Sequence, residues 1–530
     1  MAAFQKIAGV GGASHTYSDE ERSAFSSHIN NLLGYDDLLK HLLPLDDLTE
    51  GSTDIFDKCH DGLVLCKLIN YAIPDTIDER AINKSPNMNI YQKTENINLA
   101  LNAARMIGCQ VVNIGAQDIV DGRPILILGL IWQIIKIQLL SSISLTEHPE
   151  LVLLLQEGEE LNSFMKLPAE TILLRWVNYH LNAANATRRI MNFGSDVADS
   201  EIYSILLHQL SPNSCKLVTD TESIRRAETI IKNAKILNVN PFIKPKDICD
   251  GNKKLNMSFV AQLFNTCPGL TITEEVKAAI EIDLSTLEID DIGDSREERV
   301  FRMWINSLNI ENIYLNNIFL DLQDGTVLLK LLDYLKPGLV NFKKCTMEPK
   351  SRFKQVENAN YVVQLGKELK LSLVNIGGLD IVDGNKKIML ALIWQLQRMY
   401  TLQVLASLAT NQGLNEVSVS EGRIVTWANE KVASIGKASR IKHFKDSTIR
   451  NSKFLLDLVA AIEPRAVTYE LISTGDQQDD FLNNAKYVIS CARKANACVF
   501  LTPEDIVEVK SKMLLTFVSA LWTADILRNK

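Results

Sequence analysis

Two stretches of the chain hold residue types that could do chemistry. The first is an acidic text closed by glycine, Asp118-Ile-Val-Asp121-Gly, which returns as Asp247-Ile-Cys-Asp250-Gly and Asp380-Ile-Val-Asp383-Gly, and more loosely as Asp505-Ile-Val-Glu508-Val. Carboxylates beside a glycine invite a calcium reading, but such a loop needs oxygen ligands at alternate positions and a distal glutamate. Ile119, Val120, Ile381 and Val382 occupy ligand positions, so that reading fails. A turn fits better: the aspartates satisfy free backbone N–H groups ahead of a helix, and the glycine takes a conformation closed to other residues. The second stretch is Cys59-His60, whose side chains, being adjacent, point apart beside the helix cap Asp61. No G-x-x-x-x-G-K phosphate loop and no G-x-S-x-G elbow occurs. No catalytic residue, cofactor or metal is expected, and the chain does not read as an enzyme.

The elements that carry these turns belong to a repeat, the pattern to be sought before any other. The first aspartates, at 118, 247, 380 and 505, lie 129, 133 and 125 residues apart. Early in three units stand Trp176, Trp304 and Trp427, each followed two residues on by Asn178, Asn306 or Asn429 and preceded by Glu170, Glu297 or Glu421. In the first unit Glu21 is followed by His28-Ile29-Asn30, so His28 fills a tryptophan slot and reads as a side chain packed under its own domain. Asp61, Asp199, Asp324 and Asn451 precede apolar residues at helical spacing and read as N-terminal caps. The pairs Glu95-Asn96, Ala227-Glu228, Glu357-Asn358 and Asn483-Asn484 form a further landmark, again on helices. No run of alternating strand residues appears.

Odd and even units differ. Val112-Asn-Ile-Gly115 and Val374-Asn-Ile-Gly377 lead into the signature in units one and three, Phe242-Ile-Lys-Pro245 and Phe500-Leu-Thr-Pro503 in units two and four. Trp132 and Trp394 follow the second acidic position by 11 residues, whereas Phe264 and Trp522 follow it by 14. The pattern is A-B-A-B. It divides the chain into a flexible N-terminus 1–16, domains 17–140, 167–270, 295–405 and 418–530, and linkers 141–166, 271–294 and 406–417. From Glu274 to Asp294 eight acidic residues stand against one lysine, the mark of a solvated spacer, while Val276, Ile280, Leu284 and Leu287 would let it lie along a domain surface.

Composition narrows the function classes. The apolar fraction of 46% supports sizeable cores, and a net charge of −8 disfavours broad binding to nucleic acid or acidic lipid, though a local basic patch could sit inside an acidic whole. Nine scattered cysteines with no C-x-x-C spacing fit small core residues in a reducing compartment. The start of the chain lacks the pattern of a signal peptide, and Ile125–Leu140 is too short for a membrane span. A soluble intracellular protein with no nucleic-acid or membrane partner is expected. Leu128–Leu140 is apolar almost all round, so a face beyond its own core must be covered by a neighbouring domain or a partner.

Asp-Gly-x-x-Leu-x-x-Leu, Glu-Asn, Asp-Ile-Val-Asp-Gly and Ile-Trp-Gln together resemble the calponin-homology domain. Four such domains as two tandem type-1/type-2 pairs resemble the fimbrin, or plastin, family, as does Tyr17–Phe25, with His28 departing from the usual Trp. The resemblance implies an all-α fold of four calponin-homology helical domains. It also implies a monomer of the cytoplasmic actin cytoskeleton that crosslinks two filaments of F-actin through two actin-binding domains. Family members usually carry calcium-binding EF-hands ahead of the first pair, and this chain looks like a core without them. The family's actin-contacting surfaces map to Ala24–Leu33, Ile125–Leu140 and Thr171–His180, and to Glu298–Leu308, Lys387–Leu405 and Gly422–Val432. The candidate contacts are Phe25, Asn30, Arg123, Gln133, Lys136, Ile137 and Leu140 in the first half, and Asn385, Lys386, Gln395, Arg398 and Leu402 in the second. The competing reading is a calponin-homology scaffold that binds other cytoskeletal or signalling proteins without bundling actin.

Overall fold

The computed structural model describes residues 4–8, 14–145, 147–275, 277–278, 292–373, 375–411 and 419–528. Its helices repeat in four sets. The first set is α1 (Asp19–Leu33), α2 (Asp54–Cys59), α3 (Leu63–Ala72), α4 (Ile90–Met106), α5 (Ala116–Val120) and α6 (Pro124–Leu140). The second is α7 (Leu161–Met165), α8 (Ala169–Ala183), α9 (Glu201–Leu210), α10 (Ser223–Ile236), α11 (Pro245–Cys249) and α12 (Lys253–Thr266). The third is α13 (Ile292–Ser307), α14 (Ile318–Asp321), α15 (Thr326–Leu335), α16 (Arg352–Glu368), α17 (Gly378–Val382) and α18 (Lys386–Asn411). The fourth is α19 (Glu421–Ser434), α20 (Lys453–Ile462), α21 (Gln478–Lys494), α22 (Pro503–Val507) and α23 (Ser511–Arg528).

The landmarks turn out to be helix starts. Asp61, Asp199, Asp324 and Asn451 each accept a hydrogen bond at Oδ1 from the backbone N–H two residues on, at 2.9, 3.1, 2.8 and 3.0 Å. The residue between them is left-handed in every copy: Gly62, Ser200, Gly325 and Ser452. At Gly62 a Cβ would also meet the Asn96 backbone at 2.9 Å, so both the turn and the close approach favour glycine there. In the acidic signature, Asp118, Asp247, Asp380 and Asp505 each accept at 2.8 Å from the N–H three residues before, capping the short fifth helix or its equivalent. Gly122, Gly251 and Gly384 then turn left-handed, and in the looser fourth copy Val509 adopts the same conformation at φ 55°.

Two further locks come from buried amides. Asn96 donates from Nδ2 to the carbonyls of Asp61 and Asn83 and accepts from the Asn83 N–H; Asn358 and Asn484 do the same in their copies. In the second copy Glu228 does not take this place. Arg226 does, with Nη1 on the Asp199 carbonyl at 2.8 Å and Nε and Nη2 on the Asp220 carbonyl, because a longer donor two residues earlier reaches the same kind of target. The asparagines after the tryptophan slots form a second lock. Asn30, Asn178, Asn306 and Asn429 each donate to the carbonyl and accept from the N–H of one loop residue, respectively Leu45, Ile190, Leu315 and Ile441.

By contact density the chain forms two compact units, residues 1–60 with 121–288 and residues 61–120 with 289–530. In the first, Phe25 of α1 stacks on Trp132 of α6 at 5.8 Å, and the Trp176 indole donates to the Pro268 carbonyl at 2.7 Å. In the second, α4 lies along α21 through a buried polar seam. Asn102 donates to the Arg493 carbonyl at 3.1 Å, Arg493 donates to the Thr76 carbonyl at 2.7 Å, and Arg465 pairs with buried Glu95 at 2.9 Å. Burial holds Arg493 down at about 10.

Three features add to the expectations. The N-terminal segment is not without regular structure: β1 (Phe4–Ala8) pairs antiparallel with β2 (Ser14–Ser18), Phe4 opposite Ser18, as short stretches with a β-branched or aromatic residue can. The 141–166 connector is packed, with Leu151, Leu154 and Phe164 buried. The last helix of the third copy runs on to Asn411, past the boundary at 405, because Leu405 and Ala409 continue its buried stripe. Most of the acidic strip, including Val276, Ile280, Leu284 and Leu287, lies outside the described residues, as does 412–417.

Candidate functional site

In each tandem pair the last helix of the type-1 copy lies against the type-2 copy, and the landmark glutamates decide how. Lys136 on α6, four residues after Trp132, pairs with Glu170 of α8 at 2.5 Å. Arg398 on α18, four residues after Trp394, pairs with Glu421 of α19 at 3.2 Å. The relation is reciprocal. Lys254 on α12 pairs with Glu21 of α1 at 2.7 Å, and Lys512 on α23 with Glu297 of α13 at 3.8 Å. Every landmark glutamate thus meets a cation on the last helix of the other copy in its pair. The positions were visible in the sequence, but the partners lie from 23 to 233 residues away and no local pattern names them. Half-exposed pairs of this kind carry little stability; they set register.

A cation–π contact crosses the first seam, and the other ring contacts at these positions lie inside the type-2 copies. Lys254 lies over the Trp132 ring at 5.7 Å, and Arg423 over the Trp522 ring at 5.4 Å. Trp427 and Trp522 stack at 5.0 Å, and Trp176 meets Phe264 edge-on at 5.5 Å, so the late aromatic of each type-2 copy is the partner of its early tryptophan. On α6 the type-2 copy packs from α12, where Asn265 donates to the Leu139 carbonyl at 2.9 Å.

The candidate residues divide into two groups. Gln133, Lys136, Ile137 and Leu140 recur at helical spacing on α6 and remain half-buried; Gln395, Arg398 and Leu402 form the equivalent stripe on α18. Arg123 and Asn385 are exposed at the starts of these helices, and Lys386 is half-buried beside Asn385. Phe25 and Asn30 are engaged inside their own copy. Phe25 is 0% exposed under Trp132, and Asn30 is spent on the Leu45 clamp. They were carried over with α1, a helix whose surface is largely consumed by its own unit. His28 is buried too: Nε2 meets Gln138 at 3.2 Å, the ring sits 4.2 Å from Phe242, and burial pushes its pKa down to about 4 against the opposing Gln138 bond. It is a core side chain in a tryptophan slot. Among the described residues no group of three His, Cys, Asp or Glu is gathered as a metal site would require.

The calponin homology (CH) domain family model matches residues 24–139, 167–269, 295–402 and 418–526. Fimbrin of Dictyostelium discoideum is 45% identical over 522 residues, covering 97% of this chain and 82% of that protein. Human plastin-3 is 44% identical over 527 residues, covering 96% and 80%. The chain belongs to the fimbrin/plastin family. Arabidopsis thaliana fimbrin-3, 43% identical, extends the match to 96% of this chain and 70% of the plant protein. The crystal structure of the actin-crosslinking core of Schizosaccharomyces pombe fimbrin superimposes with a TM-score of 0.79 at 39% identity, over 96% of this chain and all of that one. Fold and family thus agree: an all-α fimbrin arrangement of four calponin-homology domains.

Proposed function

We propose that the chain binds F-actin through each tandem pair and crosslinks two filaments as a monomer. The observation that carries the reading is the duplicated seam: Lys136–Glu170 with Lys254–Glu21 in one pair, Arg398–Glu421 with Lys512–Glu297 in the other. Two modules built on one plan give one chain two equivalent docking surfaces. A chain docked by one module holds the other at high effective concentration beside a neighbouring filament. The matched core structure is named for actin crosslinking, which is the same task. Each binding face is the half-buried stripe of the last type-1 helix, Gln133 to Leu140 and Gln395 to Leu402, entered at Arg123 and at Asn385 with Lys386. The domain boundaries follow the repeat, and the setting is the cytoplasmic actin cytoskeleton. No catalytic step is assigned.

The test is filament pelleting with the whole chain. Crosslinking requires actin to pellet at low speed, as bundles. Pelleting of the protein only at high speed would mean a single working site, and no pelleting at either speed would favour the scaffold reading.

A further inference from the structure

The first and third copies share one fold but present different versions of one face. In the first copy that face is occupied. Arg80, at the 3-10 turn Glu79–Ala81, donates to the carbonyls of Leu471 and Asn483; Asp75 pairs with Lys486 at 3.0 Å, and Tyr91 lies beneath Arg465 at 4.6 Å. The third copy builds the same turn at Phe342–Lys344 and the same helix start at Arg352. The segment is held by the Asn341 N–H on the Tyr361 hydroxyl at 3.1 Å and by Thr346 on Asn358. Counting from the shared anchors, Phe342 stands where Glu79 does, Lys343 where Arg80 does, Asn341 where Asp78 does, Gly338 where Asp75 does and Phe353 where Tyr91 does.

The substitutions share a direction. Asp75 and the forked Arg80 guanidinium, which bond the fourth copy directly, give way to Gly338 and Lys343, and Glu79 and Tyr91 give way to the rings of Phe342 and Phe353, the latter with Lys354 over it at 5.9 Å. From Lys336 to Glu357 six basic residues stand against two acidic ones, in a chain whose net charge is −8; of the six, Arg352 pairs with Asp383 and Lys354 with Glu357. Lys343, Lys344 and Lys350 are exposed and make no ion pair among the described residues. Beside them Phe353 is 69% exposed, Phe342 41% and Met347 37%. Undirected positive charges interleaved with exposed rings suit a diffuse anionic surface with an apolar layer beneath it. We infer that this face of the third copy, Lys336 to Lys354, docks on anionic lipid bilayers, with the lysines over the headgroups and Phe342 and Phe353 at the acyl boundary. This revises the expectation of no membrane partner, which rested on net charge and on the short apolar stretch Ile125–Leu140.

Vesicle co-sedimentation of the full chain tests it, using phosphatidylcholine vesicles with and without phosphatidylserine. The chain is expected to pellet with the anionic vesicles at low salt, to be released as salt rises, and to leave neutral vesicles unbound. Each lysine near such a surface is worth about fivefold in partitioning, so Lys343→Gln/Lys344→Gln/Lys350→Gln should lose about a hundredfold. Phe353→Ser should lose severalfold and keep the salt dependence. Lys232→Gln/Lys235→Gln, a charge loss on exposed α10 positions, should change little, and circular dichroism checks that each variant is folded. Equal pelleting with neutral vesicles, undiminished binding by the triple variant, or no vesicle binding while the triple variant loses filament binding would each overturn the inference.

Discussion

The two tandem pairs use the same four-position seam with different tightness. In the first pair the reciprocal ion pairs stand at 2.5 and 2.7 Å and a cation–π contact from Lys254 reaches Trp132; in the second the pairs open to 3.2 and 3.8 Å. Inside the type-2 copies the ring packing differs as well, with Trp427 and Trp522 stacked in the second pair and Trp176 and Phe264 edge-on in the first. The difference teaches that the repeat keeps the position of each contact while letting its geometry vary. A filament-binding module built this way can be tuned in one half without redrawing the other.

The sharpest check concerns the buried amide lock. Asn96→Ala and Asn358→Ala each strand buried polar backbone groups of two loops, and each should cost about 3 kcal/mol in chemical denaturation. Arg226→Ala, at a half-buried position in the second copy, should cost about 1 kcal/mol, and Glu228→Ala almost nothing. Equal costs at Arg226 and Glu228 would break the correspondence between copies.

A second contrast is titratable. The folded state holds His28 neutral down to about pH 4, whereas the unfolded chain takes up a proton near pH 6.5. The unfolded state then binds more protons between these values, so stability is full above pH 6.5 and falls as the pH drops toward 4, by about 3 kcal/mol at the limit. The third copy, with Trp304 in the same slot, lacks this liability. His28→Phe should flatten that part of the stability–pH profile, measured by urea melts at pH 7 and pH 4.5, while the depressed His180 keeps its smaller share.

Smaller effects follow from the turn after the acidic signature. Val509→Gly should gain about 1 kcal/mol in thermal denaturation, because the fourth copy forces a branched side chain into a left-handed turn. Gly251→Ala should lose about as much, since its φ is 67° and a Cβ would stand 3.2 Å from the Gly194 carbonyl carbon. Smallest of all, double-mutant cycles on Lys254–Glu21 and Lys512–Glu297 should give couplings below about 1 kcal/mol, the first exceeding the second. A reversed order would deny that the first seam is the tighter one.

What could be read from the chain was what is local. Helix caps at Asp61 and Asp324, and the glycine turns after Asp121 and Asp383, are decided within three residues, and they stand where the spacing placed them. The repeat and its alternation were legible for the same reason. What escaped was whatever depends on a distant partner. Phe25 is hidden by Trp132, Lys136 is engaged by Glu170, and Arg226 reaches Asp199 and Asp220 from a position two residues off the aligned landmark. The pairing of Phe4–Ala8 with Ser14–Ser18 escaped because a short strand has no periodicity long enough to read.

The central claim is that one chain carries two filament-binding modules. Low-speed pelleting of actin filaments with the whole 530-residue chain, at a protein concentration where sedimentation equilibrium finds it monomeric, tests it most directly. The account predicts that filaments pellet as bundles and that the protein pellets with them. Protein that co-sediments with filaments only at high speed, leaving them unbundled, would contradict it.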